Sequence, residues 1–519
     1  MVMGLGLAVG VLSACTPQGE DVTLRIVAGS EQKSVLEQIV DPWCDKQGYN
    51  CEWTLLGSVD QARLLQSGSE DYDAYWFASS VFAQLGNEDG KLVDLEPMFV
   101  TPIVFAGKRS AMERIGFVDR DDVGITEILT AVESGDMKVW TTNPTQSNSG
   151  ATTLFAFLNH FAGNGPGQPL SPEQLDSPEV VEGTKRFVAA MDRTPPSTGT
   201  MMTECIESDE CETLFTYEAL VIEENQKGSN PEDFAVVYPQ GSLAISDAPL
   251  GFLPVGEHGE AKREIFTELQ QYLLHDDRAI AKIRDLGRRP ANTIGLTLEN
   301  PDTKVFNPDW GIKTDIQEQG IAYPAAPVIE AALDAYHTRY RPAVNITYCL
   351  DGSGSMSGDG WTGIQEAAHE IFDAERARVN LLQTGPEDRT SVIIFDSSIK
   401  AGPYTVDGNE PSRLKQMETD VVNTHPGGGT DMYGCLQNAL DLAEGDARKQ
   451  LIVLMSDGVS RDDSWGAVDR AREAGIPVVS IAFGDADERQ LTEVSEATGG
   501  AYVESDDLVK ALRAAAGYK

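Results

Sequence analysis

The chain is 519 residues long, 41% hydrophobic and carries 49 glycines, too much sequence for one core and well suited to two or three globular α/β domains. Its 40 basic residues stand against 82 acidic ones, a formal net charge of −42, which argues against nucleic acid and anionic membrane surfaces as partners. The acidic residues are spread along the chain, which fits a solubilising coat better than a cation-gathering surface.

Residues 4–14 are an apolar run, GLGLAVGVLSA, too short for a bilayer, which takes roughly 20 residues. The run ends at Leu12-Ser13-Ala14-Cys15 and turns polar at Thr16-Pro17-Gln18-Gly19-Glu20. Small residues before a cut site are what a signal peptidase accepts, and a cysteine at the first mature position resembles a bacterial lipobox. Met1-Val2-Met3 departs from that pattern, since no positive charge precedes the apolar run. The resemblance implies a lipoprotein signal and tether over 1–21, a diacylglycerol on Cys15, and export to the outer face of the bacterial cell membrane. Lipid would be the only membrane contact.

Seven cysteines leave six once Cys15 is set aside, and they fall into near pairs. An oxidising compartment permits disulfides. They are expected for Cys44 with Cys51 and for Cys205 with Cys211, each closing a short loop. Cys349 and Cys435 fit a disulfide and two small buried apolar side chains equally well. With no CxxC and only 6 scattered histidines, zinc is not expected.

Val22–Ala28 reads as a strand, Lys33–Lys46 as a helix, Cys51–Leu56 as a second strand, and Ala62, Leu64 and Leu65 as part of the helix after it. The apolar run Ala74-Tyr75-Trp76-Phe77 then ends at Ala78-Ser79-Ser80. Strands alternating with helices imply a largely parallel sheet covered on both faces, with ligands beyond the carboxyl ends of its strands. Gly29-Ser30-Glu31 and Ala78-Ser79-Ser80 lie at such ends. Trp76 and Trp140 end apolar strands as core residues.

The strand Val139–Thr142 leads into Asn143-Pro144-Thr145-Gln146-Ser147-Asn148-Ser149-Gly150 and a helix over 151–161. That loop offers hydroxyls and free backbone N–H groups to an oxyanion, or it is a serine cap that starts the helix. The order strand, Asn-Pro-Thr, Ser147, Ser149-Gly150, helix resembles the bacterial solute-binding proteins of the type II periplasmic class, including the molybdate-binding-like branch. Leu214–Ile222, Val236–Pro239 and the return strand Pro249-Leu250-Gly251-Phe252 are similar to that class as well. The resemblance implies a two-lobed α/β domain over 22–300 with a cleft for a small solute. Ser30, Ser79, Ser147, Ser149 and Tyr217 are its candidate ligand contacts.

Residues 301–342 read as a linker with a bridging helix. Prolines and glycines punctuate 297–325 without sustained periodicity, and Val328–Tyr340 is amphipathic, with Ile329, Leu333 and Tyr336 on one side. From 343 to 519 a regular α/β pattern returns. The strand Val344–Leu350 ends at Asp351-Gly352-Ser353-Gly354-Ser355, and a helix spans about 362–382. The strand Thr390–Asp396, the loop Gly427-Gly428-Gly429-Thr430-Asp431 and the strand Leu451–Gly458 follow, then two further units. This is a doubly wound, Rossmann-like domain of about 175 residues.

Asp351, Ser353, Ser355, Thr430 and Asp457 fall at the ends of strands or in the glycine loop, and the crevice rule brings them to one edge. Hydroxyl and carboxylate oxygens, without sulfur or imidazole, select Mg²⁺, Ca²⁺ or Mn²⁺. The set resembles the metal-ion-dependent adhesion site of von Willebrand factor A domains. That resemblance implies direct coordination by Ser353, Ser355 and Thr430, with Asp351 and Asp457 acting through water. An open position would take a carboxylate from a partner protein.

Gly427-Gly428-Gly429 is not a phosphate loop, because no Lys-Ser/Thr follows. HExxH and Gly-x-Ser-x-Gly motifs are absent, and His369 and His425 read as surface or packing residues. The expectation is a binding protein without turnover, in which an A domain docks a partner through its metal beside a solute-binding-like module. The alternative is a solute receptor of a transport system with an accessory A domain; a chelatase-like assembly factor ranks last for want of an ATP motif.

Overall fold

The computed structural model describes residues 22–208, 211–291, 296–458, 460, 465–483, 486, 488–504 and 508–516. The apolar run and Cys15 lie outside them. Among the described residues the strands form three sheets, and no helix is long and apolar enough to cross a membrane.

The first sheet runs Asn50–Leu55, Thr23–Ala28, Ala74–Trp76, Pro249–Phe252, Val93–Pro97. Its first three strands are parallel, and Pro249–Phe252 returns antiparallel between its neighbours. Alternate residues of Thr23–Ala28 serve two cores: Leu24, Ile26 and Ala28 pack with Trp43 and Phe266, while Val27 packs with Val59 and Tyr75. Fully buried parallel strands lose the polar alternation of a half-exposed sheet.

The second sheet is organised around Phe99–Lys108, which pairs with Arg289–Pro290, Thr213–Tyr217, Phe234–Val237 and Ala244–Ser246; Val139–Trp140 lies beyond Thr213–Tyr217. The chain passes between the two sheets at Met98, at Asp247-Ala248 and at 286–288. Three adjacent crossings make a hinge between two lobes, the architecture expected for this region.

The 297–325 segment holds a single short helix, Pro308–Trp310, yet it is packed. Val305, Phe306, Trp310, Ile312 and Ile316 are buried against Val104, Leu214 and Val236 of the second lobe. Periodicity reads regular elements only, so this irregular strap escaped it. The helix Ala326–Ala335 continues as a wider turn over Tyr336–Tyr340, burying Ile329, Leu333 and Tyr336.

The third sheet runs Ile399–Asp407, Arg389–Phe395, Val344–Asp351, Lys449–Ser456, Val478–Ala482, Tyr502–Glu504. All are parallel except the edge strand Ile399–Asp407, which the sequence reading lacked. The single helix expected over 362–382 is two, Asp359–Phe372 and Ala374–Val379. Asp373 stands at the break, and its side chain accepts from the backbone N–H groups of Glu375 and Arg376. Strand order reverses between Val344–Asp351 and Lys449–Ser456, so the crevice of this sheet opens where Asp351 and Asp457 leave their strands.

Candidate functional site

At the crevice of the third sheet, Asp351 is fully buried. Its Oδ1 accepts from the Ser353 backbone N–H at 2.9 Å, and its Oδ2 accepts from Ser456 Oγ at 2.5 Å. Ser456 Oγ in turn accepts from the Gly458 N–H at 2.9 Å, which fixes the turn carrying Asp457. Ser353 Oγ and the exposed Ser355 Oγ are 3.0 Å apart. The glycine loop joins through two backbone bonds, Gly427 N–H to Gly352 O at 2.9 Å and Gly354 N–H to Gly428 O at 3.1 Å. Half-buried Thr430 follows in that loop, and its carbonyl accepts from Ser460 Oγ at 3.2 Å, beyond Asp457. All five residues therefore stand at a strand end or in loops at one edge of the sheet.

Gly428 has φ +98°, and a Cβ there would meet Asp396 Oδ2 at 2.8 Å, so this loop requires glycine. Lys400, overlooked in the sequence, clips the loops together by donating to Gly427 O at 2.9 Å and Asp396 Oδ2 at 3.2 Å. Its long-range role has no signature in its own neighbours.

Burial raises the Asp351 carboxyl, and the like charge of Asp457 adds to the shift. Asp457 is 6% exposed, and its buried Oδ1 has no hydrogen-bond partner. An acceptor-only group left unpaired beside a second carboxyl calls for a cation or donor. Among the described residues no three His, Cys, Asp or Glu side chains group as a metal site; this donor set instead combines two carboxylates with three hydroxyls. Such oxygens fit a hard divalent ion.

In the two-lobed region, Ser147, Ser149 and Tyr217 come together on the second lobe. Ser149 Oγ lies 2.8 Å from Thr142 Oγ1 and 2.6 Å from Thr198 Oγ1, and Ser147 Oγ is 3.3 Å from Thr198 Oγ1. Asn148 Nδ2 donates to Tyr217 Oη at 2.8 Å and to Ser246 Oγ at 3.0 Å. The helix begins at Asn148, earlier than the expected Ala151. Ser30, on the first lobe, reaches across to accept from the Gly199 N–H at 2.9 Å. Ser79 caps the helix Ser80–Gly86, accepting from the Val81 N–H.

The lobes meet here. The Val59 N–H donates to Gln146 O at 3.3 Å, and a Cβ on Gly57 would sit 2.2 Å from that carbonyl. Glu31, which the sequence reading left out of the ligand set, is 6% exposed with its Oε1 unpaired, as are Gln32 Oε1, Gln146 Oε1 and Asn148 Oδ1. Burial pushes the Glu31 carboxyl up to about 7 and raises the Tyr217 hydroxyl well above its ordinary value. Burial likewise lowers Arg288, whose guanidinium binds Glu223 and the Glu31 carbonyl, to about 9. A cavity of about 530 Å³ opens between the lobes beside Ser30, Glu31, Ser34, Gly199, Glu223 and Leu286.

Three disulfides are formed: Cys44–Cys51, Cys205–Cys211 and Cys349–Cys435. The third resolves the open alternative. It ties the strand ending at Asp351 to the helix Met432–Ala443, which follows Thr430.

The family model for bacterial extracellular solute-binding proteins matches residues 24–285, and that for the von Willebrand factor type A domain matches 345–514. Similar solved structures include the sulfate-binding protein SubI of Mycobacterium tuberculosis H37Rv, 15% identical, covering 52% of this chain and 92% of that one at a TM-score of 0.38. An ABC transporter structure from Clostridium perfringens ATCC 13124 is 11% identical, covering 60% and 97% at 0.39. An aerotolerance-related membrane protein of Bacteroides fragilis NCTC 9343 is 16% identical, covering 34% and 97% at 0.28.

Proposed function

We propose, for a chain that belongs to the bacterial extracellular solute-binding protein family and carries a von Willebrand factor type A domain after it, an exported binding protein without turnover whose two modules take different ligands. The A domain holds Mg²⁺, Mn²⁺ or Ca²⁺ at the sheet crevice. Ser353, Ser355 and Thr430 would supply direct oxygens, with Asp351 and Asp457 acting through water. Such an ion supplies an electrophilic position for a carboxylate of a partner protein. The cleft takes a small solute, and a lipid on Cys15 keeps the molecule at the cell surface.

The observation that carries the metal reading is the unpaired, buried Asp457 Oδ1 beside Asp351. A ligand that binds only the folded form raises its melting temperature. Mn²⁺ is expected to raise the melting transition of the A domain in the full chain, and to leave it unmoved in Asp351→Ala. An equal rise in both proteins would overturn the assignment.

A second reading, a transport receptor in which the A domain is accessory, draws support from the inter-lobe cavity of about 530 Å³ and the unpaired Glu31 oxygen. Solute affinity unchanged in Asp351→Ala and a solute-uptake defect on loss of the protein would favour it.

A further inference from the structure

We infer that Arg513, on the last helix of the A domain, latches the two solute-binding lobes together, so that docking of the A domain and closure of the cleft form one coupled equilibrium. The inference rests on the reading of the inter-lobe cleft as the solute site and adds its regulation.

Arg513 lies on the helix Leu508–Ala516 with its side chain 5% exposed. One end of the guanidinium pairs with Asp60, itself 14% exposed, on the helix Ser58–Gln66 of the first lobe. The other end donates to the Thr145 carbonyl in the loop before Ser147, on the second lobe. Thr145 is further held by its hydroxyl, 2.8 Å from Asn143 Oδ1 and 3.2 Å from His337 Nε2 on the bridging turn. Gln146 O and the Val59 N–H meet right beside this pair, so the latch sits where the lobes touch.

A guanidinium is a rigid planar fork. It reaches Asp60 and Thr145 at once only when the lobes are close, and a hinge opening that separates them breaks at least one contact. Arg513 is no loose surface arm. Its helix is seated in the A domain by Ala511, Leu512 and Ala515, which share a core with Ile364, Ala367 and Ile371 of Asp359–Phe372. That helix begins just after the loop carrying Ser353 and Ser355. Opening the lobes while the A domain stays docked strands a desolvated charge, which is unfavourable. Closure therefore favours docking and docking favours closure, by equal factors in the two directions.

The test uses the full chain with spin labels on Glu37→Cys and Thr203→Cys, exposed positions on opposite lobes, and reads the inter-label distance by double electron–electron resonance. The latched protein is expected to give one short distance. Arg513→Ala and Asp60→Asn, one change in each module, are each expected to add a longer-distance population, raising the open-to-closed ratio on the order of tenfold. The double variant is expected to go no further than either single one. Distance distributions in both variants that superimpose on the unsubstituted protein would overturn the latch. Neither solute nor metal is added, so failure to find a solute for the cleft leaves this outcome readable on its own.

Discussion

The A-domain crevice and the inter-lobe cleft are built from the same kinds of side chain, hydroxyls and carboxyls, but differ in what those groups have left to bond. In the cleft, two of the serines singled out by motif are already bonded to threonine hydroxyls: Ser149 holds Thr142 and Thr198, and Ser147 holds Thr198. The unpaired atoms belong instead to Glu31, Gln32, Gln146 and Asn148. In the crevice, the unpaired oxygen belongs to a motif residue, Asp457. A hydroxyl donates and accepts, so neighbouring hydroxyls can satisfy one another; an ionised carboxylate only accepts and needs a donor or cation. An unpaired buried carboxylate oxygen therefore calls more sharply for a cation or donor than a serine-rich loop does, and the metal proposal rests on that of Asp457.

The largest expected effect separates how the two regions are held. Cys349–Cys435 closes a separation of 86 residues and ties the strand ending at Asp351 to the helix after Thr430, whereas Cys44–Cys51 and Cys205–Cys211 close separations of 7 and 6. By the chain-entropy relation, replacing Cys349 and Cys435 with serine costs the A domain about 4.5 kcal/mol, against about 2.5 kcal/mol for either pair in the lobes. Differential scanning calorimetry of the full chain, with its transitions assigned to each module, measures both. Equal losses would mean that local packing, rather than loop length, sets the value.

The next effect probes the cleft's buried carboxyl. Burial raises Glu31 from 4.5 to about 7, so the folded form keeps a proton that the unfolded chain has already released. Its stabilising contribution is fully present below 4.5 and is lost as pH climbs through 7, on the order of 3 kcal/mol in all. Glu31→Gln is expected to flatten the stability of the lobes across that window, as read by urea unfolding at a series of pH values. An unchanged slope would show that the carboxyl already has a partner.

Much of this was legible from sequence because it is local. Asp351-x-Ser-x-Ser and the glycine loop are short motifs at predictable strand ends, and the apolar strands Val344–Asp351 and Lys449–Ser456 announce themselves by composition. The edge strand Ile399–Asp407 did not, because its residues are mostly half-buried or exposed and Gly402-Pro403 interrupts them. Asn148-Ser149-Gly150 read as loop, although all three are helical and buried. Glu31 sits just past a strand end that the sequence shows, but sequence carries no measure of its burial. Arg513 reaches Thr145 across a separation of 368 residues, which no local pattern reports.

The smallest effect sets one serine from each region against the other. Ser149→Ala removes a hydroxyl that serves two buried threonines, taking the side-chain partner of Thr142 and leaving Thr198 with Ser147 alone, and is expected to cost the lobes about 1–2 kcal/mol whether or not a solute is present. Ser353, although buried, meets the exposed Ser355 hydroxyl at 3.0 Å, and that partner keeps access to water when the Ser353 hydroxyl is removed. Ser353→Ala is expected to change metal-free stability by no more than about 0.5 kcal/mol while abolishing the Mn²⁺-dependent rise of the A domain. A loss of metal-free stability in Ser353→Ala as large as that in Ser149→Ala would make the crevice serine a structural cap like its counterpart, because a group retained for a ligand is spared when the ligand is absent.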